Sequence, residues 1–405
     1  MQPHPGLAGG PIYLDYNATT PVDPAVMEAA LPYLRAHFGN PSSTHAYAER
    51  PRQAVATARR QLAGLLGCNP GELIFTGSGS EADTLAVHGA ALAGRDRGDH
   101  VITQATEHPA VDNACRALAQ RHGFQLTTLP VDHHGRVDPA ALDAAITPRT
   151  VLVTIQHANS ETGTLQPIRQ LAEIAHARGV LVHTDAAQSL GKVPVAVDEL
   201  GVDLLTVVGH KLYAPKGVGA LYVRDGVALQ PVIFGGGQEH GLRAGTENVA
   251  LIVALGVAAT IAAERLDAEQ QRLRRLRDRL EQRLTERLPG TVRRNGHPTE
   301  RLPNTLNVSL DGVSGEQVLA ATPQVAASTG AACHAADPEP SGVLLAMGLT
   351  RRRALGALRL TLGRWSTQAE VDTAAGLLAV AALTARGPAA TGPVSEPGSQ
   401  PARTR

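Results

Sequence analysis

Between Gly71 and Arg224 the chain keeps returning to short runs rich in Val, Leu, Ile and Thr: GELIFTG, HVITQ, FQLTTLPV, TVLVTIQH, VLVHTDAA, DLLTVVG and GALYVR. Runs that are apolar on both faces suit strands buried on both sides, and parallel neighbours need a crossover of about a dozen residues or more, usually a helix. Stretches of helical period supply such crossovers: EADTLAVHGAALAG, PAVDNACRALAQRHG, DPAALDAAI and PIRQLAEIAHARG, several of them stopping at glycine. The fold class that follows is α/β, with a large domain on a mostly parallel sheet.

A chain of 405 residues has room for more than one core. After Asn248 a helical stretch passes from VALIVALGVAATIAA into charged EQQRLRRLRDRLEQRL and leads to NTLNVSL and ALRLTLG, the expected strands of a smaller α+β domain. The expected division is 21–255 for the large domain and 1–20 with 256–385 for the small one. Residues 386–405, rich in Pro, Gly, Ser and Ala, are expected to form a disordered tail.

Lys and Arg balance Asp and Glu at 37 each, so no global field draws the protein to nucleic acid or to an anionic membrane, and a small-molecule substrate is expected. The N-terminus has no secretory pattern, and no uninterrupted apolar run has the roughly 20 residues of a bilayer span. Cys68, Cys115 and Cys333 are too scattered for a disulfide framework, which points to a reducing cytoplasm. His133, His134, His176 and His183 lack metal-ligand spacing, so no metal is expected.

The strongest chemical signal is VDLLTVVGHKLYAPKGVGALYV, where a strand runs straight into Gly-His-Lys. A lysine at a strand end, facing a crevice and partly desolvated, offers a free amine able to condense with an aldehyde. VLVHTDAAQS places Asp185 at the end of another buried strand, where a carboxylate can hold a pyridine nitrogen protonated. FTGSGSEADT adds a strand, a Gly/Ser turn and a helix start, a site for an anion such as phosphate. Taken singly, Lys211 reads as a surface charge, Asp185 as a cap and the turn as an ordinary connection. Their succession along one sheet gives them weight.

With these segments, YLDYNATTPVDPAV, FGNPSS, TEHPAV, HANSETG, GGGQEHGLRAGTEN, RLPNTLNVSL, STGAAC and LRLTLGR make the chain resemble the class V aminotransferase family of fold-type I enzymes that depend on pyridoxal 5'-phosphate (PLP), and within it the cysteine desulfurases and selenocysteine lyases. The resemblance implies PLP on Lys211, its ring nitrogen on Asp185, its ring face under His108 and its phenolic oxygen beside Gln188. It implies Asn159 against cofactor and substrate, and Gly79, Ser80 and His210 around the phosphate. Thr246 would come from the neighbouring subunit of a homodimer. Arg359 would pair the substrate carboxylate, and Cys333 would take sulfur from L-cysteine, or selenium from L-selenocysteine, as alanine leaves. His108 would move protons between substrate and cofactor. The sulfur would pass to an acceptor protein, for instance in iron–sulfur cluster assembly.

The loop from His334 to Ser341 has the composition of a mobile segment, which Cys333 needs if it is to meet both substrate and acceptor. Thr84 stands where the family commonly has an amide, Ser160 replaces a second Asn, and Val208 precedes Gly-His-Lys where many desulfurases have Ser. The last departure, with GAACH and GGGQEHGLRAGTEN, resembles animal selenocysteine lyases. A dedicated selenocysteine lyase and a class V aminotransferase are the alternative readings.

Overall fold

Several helices of the first half begin where a side chain accepts an orphan backbone N–H. Asp23, Ser78, His108 and Asp138 each do so. Gly67 and Gly123, both left-handed, close the helices they follow. The computed structural model describes residues 4–330 and 339–386. Cys333, with most of the segment expected to be mobile, and the expected tail beyond Arg386 lie outside the described residues.

The strands are β1 (Ile12–Tyr13), β2 (Leu73–Thr76), β3 (His100–Gln104), β4 (Gln125–Leu129), β5 (Thr150–Thr154), β6 (Leu181–Asp185), β7 (Leu204–Val208), β8 (Gly219–Val223), β9 (Val292–Asn295), β10 (Thr305–Leu310), β11 (Val325–Ala326) and β12 (Ala357–Thr361). The helices are α1 (Pro24–Arg35), α2 (Glu49–Leu66), α3 (Gly79–Ala93), α4 (Pro109–His122), α5 (Pro139–Ala145), α6 (Ile168–His176), α7 (Val197–Leu200), α8 (Val249–Arg287), α9 (Gly315–Ala320), α10 (Gly342–Ala346), α11 (Arg351–Leu355) and α12 (Gln368–Arg386).

Seven strands form one sheet in the order β2-β8-β7-β6-β5-β3-β4. All run in one direction except β8, which is antiparallel to both its neighbours. The carboxyl ends of β2, β3, β5, β6 and β7 therefore open on one edge, where open α/β sheets bind their ligands. Side chains alternate across the strands. Val182, Leu205 and Val207 join a core with α1, α2, α6 and the first part of α8. On the other face, Leu181 and Leu204 pack with α3 and α4. His183, Asp185, Thr206 and Val208 share that second face by alternation.

A three-stranded antiparallel sheet, β12-β10-β9, packs against α12 and the second part of α8 around a separate core of Leu306, Val308, Leu358 and Leu360. Helix α8 serves both cores, contributing Ile252 to Ala262 to one and Leu273 to Leu284 to the other. One 18-residue window of it is apolar enough to cross a membrane by composition, which qualifies the expectation drawn from uninterrupted runs. Half of that window is buried within the protein, as in a core helix. Leu14 also belongs to the small core, and β1 pairs with β11.

Candidate active site

The end of β7 sets Lys211. Gly209 opens a single turn of 3-10 helix, and a Cβ there would stand 2.8 Å from the Val218 carbonyl oxygen. The N-terminal segment clamps this turn: the Thr20 amide and hydroxyl both donate to the His210 carbonyl, at 3.0 and 2.9 Å. The Tyr213 amide donates to the Thr20 hydroxyl at 3.1 Å, and His210 Nδ1 lies 3.0 Å from Thr19 Oγ1.

Burial holds the Lys211 amine below the usual lysine range; Asp185 and Asp83 pull it back up, and Arg359 pushes it further down. The amine is therefore more nucleophilic at neutral pH than a surface lysine. Burial, helped by Lys211, also lowers His210, to about 4.

Asp185 ends β6 with Oδ1 accepting the Ala187 amide at 2.8 Å. His108 caps α4, its Nδ1 accepting the Ala110 amide at 3.2 Å. That bond assigns the ring hydrogen to Nε2. Burial and then Lys211 lower His108, while Asp185 opposes them. Lys211, Asp185 and His108 thus act on one another electrostatically at a single edge of the sheet.

Gly79 and Ser80 open α3, where Ser78 accepts the Glu81 amide at 3.1 Å. A Cβ on Gly79 would stand 2.3 Å from Val208 Cγ2, so this helix start lies directly against the strand that carries Lys211. Glu81 turns back to accept the Gly77 amide at 3.0 Å and pairs with Arg243 at 2.8 Å.

Gln188 is buried, its Nε2 donating to the Asn17 carbonyl at 3.0 Å. The Asn159 amide is largely engaged inside the protein. Its Nδ2 donates to the Thr106 carbonyl at 3.1 Å, and its Oδ1 accepts the Glu161 and Thr162 amides, both at 2.9 Å. Thr246 is exposed in the segment before α8.

Arg359 enters from β12. Its Nη2 pairs with Asp15 at 2.7 Å, and its buried Nε has no hydrogen-bond partner. A guanidinium N–H left unpaired away from water is costly, and an incoming carboxylate would satisfy it. The Arg359 amide donates to the Ser328 carbonyl at 2.6 Å, near the start of the segment that holds Cys333. Both flanks of that segment meet Glu161. Ser341 Oγ donates to Glu161 Oε2 at 2.5 Å, and a Cβ on Gly330 would stand 2.7 Å from the same oxygen. Burial raises Glu161 to about 7.

Two buried acids were not expected from sequence. Asp83, 2% exposed, lies on α3 against the polar face of the sheet, with Oδ1 unpartnered 3.8 Å from His183 Nε2. Burial and then Asp185 push its pKa well above the usual carboxylate range. Glu107, raised to about 8 by burial, accepts the Gln156 amide at 2.7 Å and leaves Oε2 unpartnered. Both had a faint signal: an acid among the apolar residues of a helix, and an acid directly before His108.

The other thiols are poor nucleophiles. Cys68, half-buried just beyond the Gly67 cap, is raised to about 12, and buried Cys115 is raised further. Among the described residues no group of three His, Cys, Asp or Glu side chains could hold a metal ion.

The family model described as aminotransferase class-V matches residues 12–373. The chain belongs to the class V aminotransferase family. It is similar to a cysteine desulfurase of Trichormus azollae, with 46% identity over 363 residues, covering 89% of this chain and 90% of the relative. Cysteine desulfurase IscS 1 of Archaeoglobus fulgidus is 44% identical over 89% of this chain and 94% of its own. Among solved structures, a NifS-like protein aligns with a TM-score of 0.85 at 34% identity, covering 91% of this chain and 98% of its own. SspA in complex with cysteine aligns at 0.77 with 38% identity, covering 88% and 99%. The chain accordingly has the fold of the fold-type I PLP enzymes and stands among the cysteine desulfurases of its family.

Proposed function

We propose that this protein removes the sulfur of L-cysteine, releasing L-alanine and leaving the sulfur on Cys333 as a persulfide, with PLP held at Lys211. The observation that carries the reading is the meeting of Lys211, Asp185 and His108 at one sheet edge, with Arg359 brought to the same site from the small sheet. The solved relative bound to cysteine supports the substrate.

The residues suit PLP. Lys211 has a lowered pKa and would hold the aldehyde carbon. Asp185 would face the ring nitrogen, Gln188 the phenolic oxygen and His108 the ring. The start of α3, with Ser80 and His210, would take the phosphate, because N–H groups at a helix start favour an anion and Gly79 keeps that start close to β7. Bound there, PLP supplies the electron sink that lets bonds at the substrate's Cα and Cβ break.

The protein's own residues do the rest. Arg359 grips the substrate carboxylate with the N–H that now lacks a partner. The freed Lys211 amine takes the Cα proton, and His108 carries protons to and from the sulfur through Nε2. The Cys333 thiolate attacks the substrate sulfur, so a carbon–sulfur bond breaks as a sulfur–sulfur bond forms. L-Cysteine and one thiol become L-alanine and one persulfide.

The working unit is a homodimer in which Thr246 completes the partner's phosphate site. Phe234, 83% exposed in the same segment as Thr246, supports a covered face there. An acceptor protein then takes the sulfur, in a cytoplasmic setting consistent with three scattered cysteines. The test is alanine formation from L-cysteine in the presence of a thiol reductant. The wild type should form it continuously and Lys211→Ala should not; a Lys211→Ala enzyme with wild-type turnover would refute the reading.

A further inference from the structure

The chemistry above leaves one buried amine unused. Lys192 is 8% exposed and lines the same small pocket as Lys211. It gets there because the chain folds back tightly after β6: the Leu190 amide donates to the Ala186 carbonyl at 3.0 Å, and the Lys192 amide to the Ser189 carbonyl at 2.9 Å. Gly191 takes a left-handed φ of 73°, and a Cβ there would stand 2.4 Å from Leu212 Cδ1. The turn that carries Gln188 is thereby pressed against the residue that follows Lys211.

Lys192 Nζ donates to the Gln188 backbone carbonyl at 2.8 Å and lies 3.4 Å from Gln188 Oε1. Its hydrogen bonds thus go to one residue's oxygens rather than to a carboxylate, although a buried amine is costly and an apolar side chain would pack there with less penalty. Gln188 Nε2 donates to the Asn17 carbonyl at the other end of the amide. Held this way, the amide keeps Oε1 toward Lys192 and has one further Nε2 hydrogen to offer. Turned over, it would present its oxygen to whatever lies beside it.

We propose that Lys192 is a positioning residue that fixes the orientation of the Gln188 amide, so that Nε2 and not Oε1 meets the phenolic oxygen of the cofactor and sets how tightly the bound cofactor holds its proton. This rests on the reading that PLP is bound at Lys211 beside Gln188. A donor at the phenolic oxygen spreads its negative charge and weakens its hold on the nearest proton; losing the donor strengthens that hold. Burial brings Lys192 down to about 7, yet the amine donates hydrogen bonds whether charged or neutral. The other charged groups around it are Lys211, Arg265, Glu269 and Arg364, and none of them is altered in the test.

The experiment uses the holoenzyme as wild type, Lys192→Met, Gln188→Ala and the double variant. It records the pH midpoint of the cofactor's visible absorbance and the melting temperature of each apoprotein. Lys192→Met should raise the midpoint by about one pH unit without lowering the melting temperature. Gln188→Ala should raise it similarly, and adding Lys192→Met to Gln188→Ala should add no further shift. Should Lys192→Met misfold, Lys192→Gln, too short to reach Oε1, should give the same shift. An unchanged midpoint in the folded Lys192 variant, or a full additional shift on top of Gln188→Ala, overturns the proposal while leaving PLP at Lys211 intact. A wild type that holds no visibly absorbing cofactor, or holds it at another residue, overturns both.

Discussion

Gly79→Ala tests the contact that seats the helix start on the lysine strand. The added Cβ would stand 2.3 Å from Val208 Cγ2 and 3.5 Å from Val208 Cβ, where ordinary contact begins at 3.4 Å. A clash of more than an ångström with a β-branched side chain that is itself packed has to be relieved by moving the first turn of α3 away from β7. Overpacking of this kind costs about 1–3 kcal/mol. If that strain falls on the bound state, apoprotein affinity for PLP drops by about 5-fold to 150-fold. Val208→Ala removes the clashing methyl and should restore the affinity of the double variant to within about threefold of wild type, at a cost of about 1–2 kcal/mol in stability for the two lost methyl groups. The assay is titration of apoprotein with PLP by absorbance, with melting curves alongside. A Gly79→Ala protein with wild-type affinity, or a double variant no better than Gly79→Ala, would refute the reasoning.

Glu107→Gln reads out the buried acid beside His108. Because burial raises the folded-state pKa from 4.5 to about 8, the stability this carboxyl contributes is full below 4.5 and is lost as pH rises toward 8. The apoprotein variant should therefore gain stability over wild type progressively across that window, on the order of 4 kcal/mol at the top; a difference that does not change with pH would contradict the buried neutral acid. Arg359→Lys should raise KM for L-cysteine about tenfold or more while leaving the cofactor's absorbance unchanged, because an ammonium cannot replace the planar fork on a carboxylate. Steady-state kinetics with a wild-type KM would remove Arg359 from that role.

The strands of the large sheet were legible because β5, β7 and β8 are buried on both faces and read as largely apolar runs. The reversed direction of β8 was also within reach. The stretch between Val208 and Gly219 is too short for a parallel crossover. Strands of two residues such as β1 and β11 leave no periodic trace, and they form only because Leu14 is drawn into the small core. Lys211 and Asp185 stood out because their residue types are unusual at the ends of apolar strands. Asp83 and Lys192 did not, because an acid on a helix and a lysine after a turn are ordinarily solvated; only the packing of α3 on the sheet and of Gly191 on Leu212 buries them. Asn159 was read as a ligand-facing amide, yet three oxygen and nitrogen contacts with its own loop and with Thr106 show how much of it organises the turn.

The central claim, that Lys211 and Cys333 together take sulfur from L-cysteine, is tested most directly by a single turnover without reductant. Wild type and Cys333→Ala, each loaded with PLP, are mixed with L-cysteine, and both the alanine released and the mass of the Cys333 peptide are measured. The account expects one alanine per active site from the wild type, a matching gain of one sulfur on Cys333, and no such burst from Cys333→Ala. A full burst of alanine from Cys333→Ala, or alanine from the wild type with no sulfur on Cys333, would contradict it.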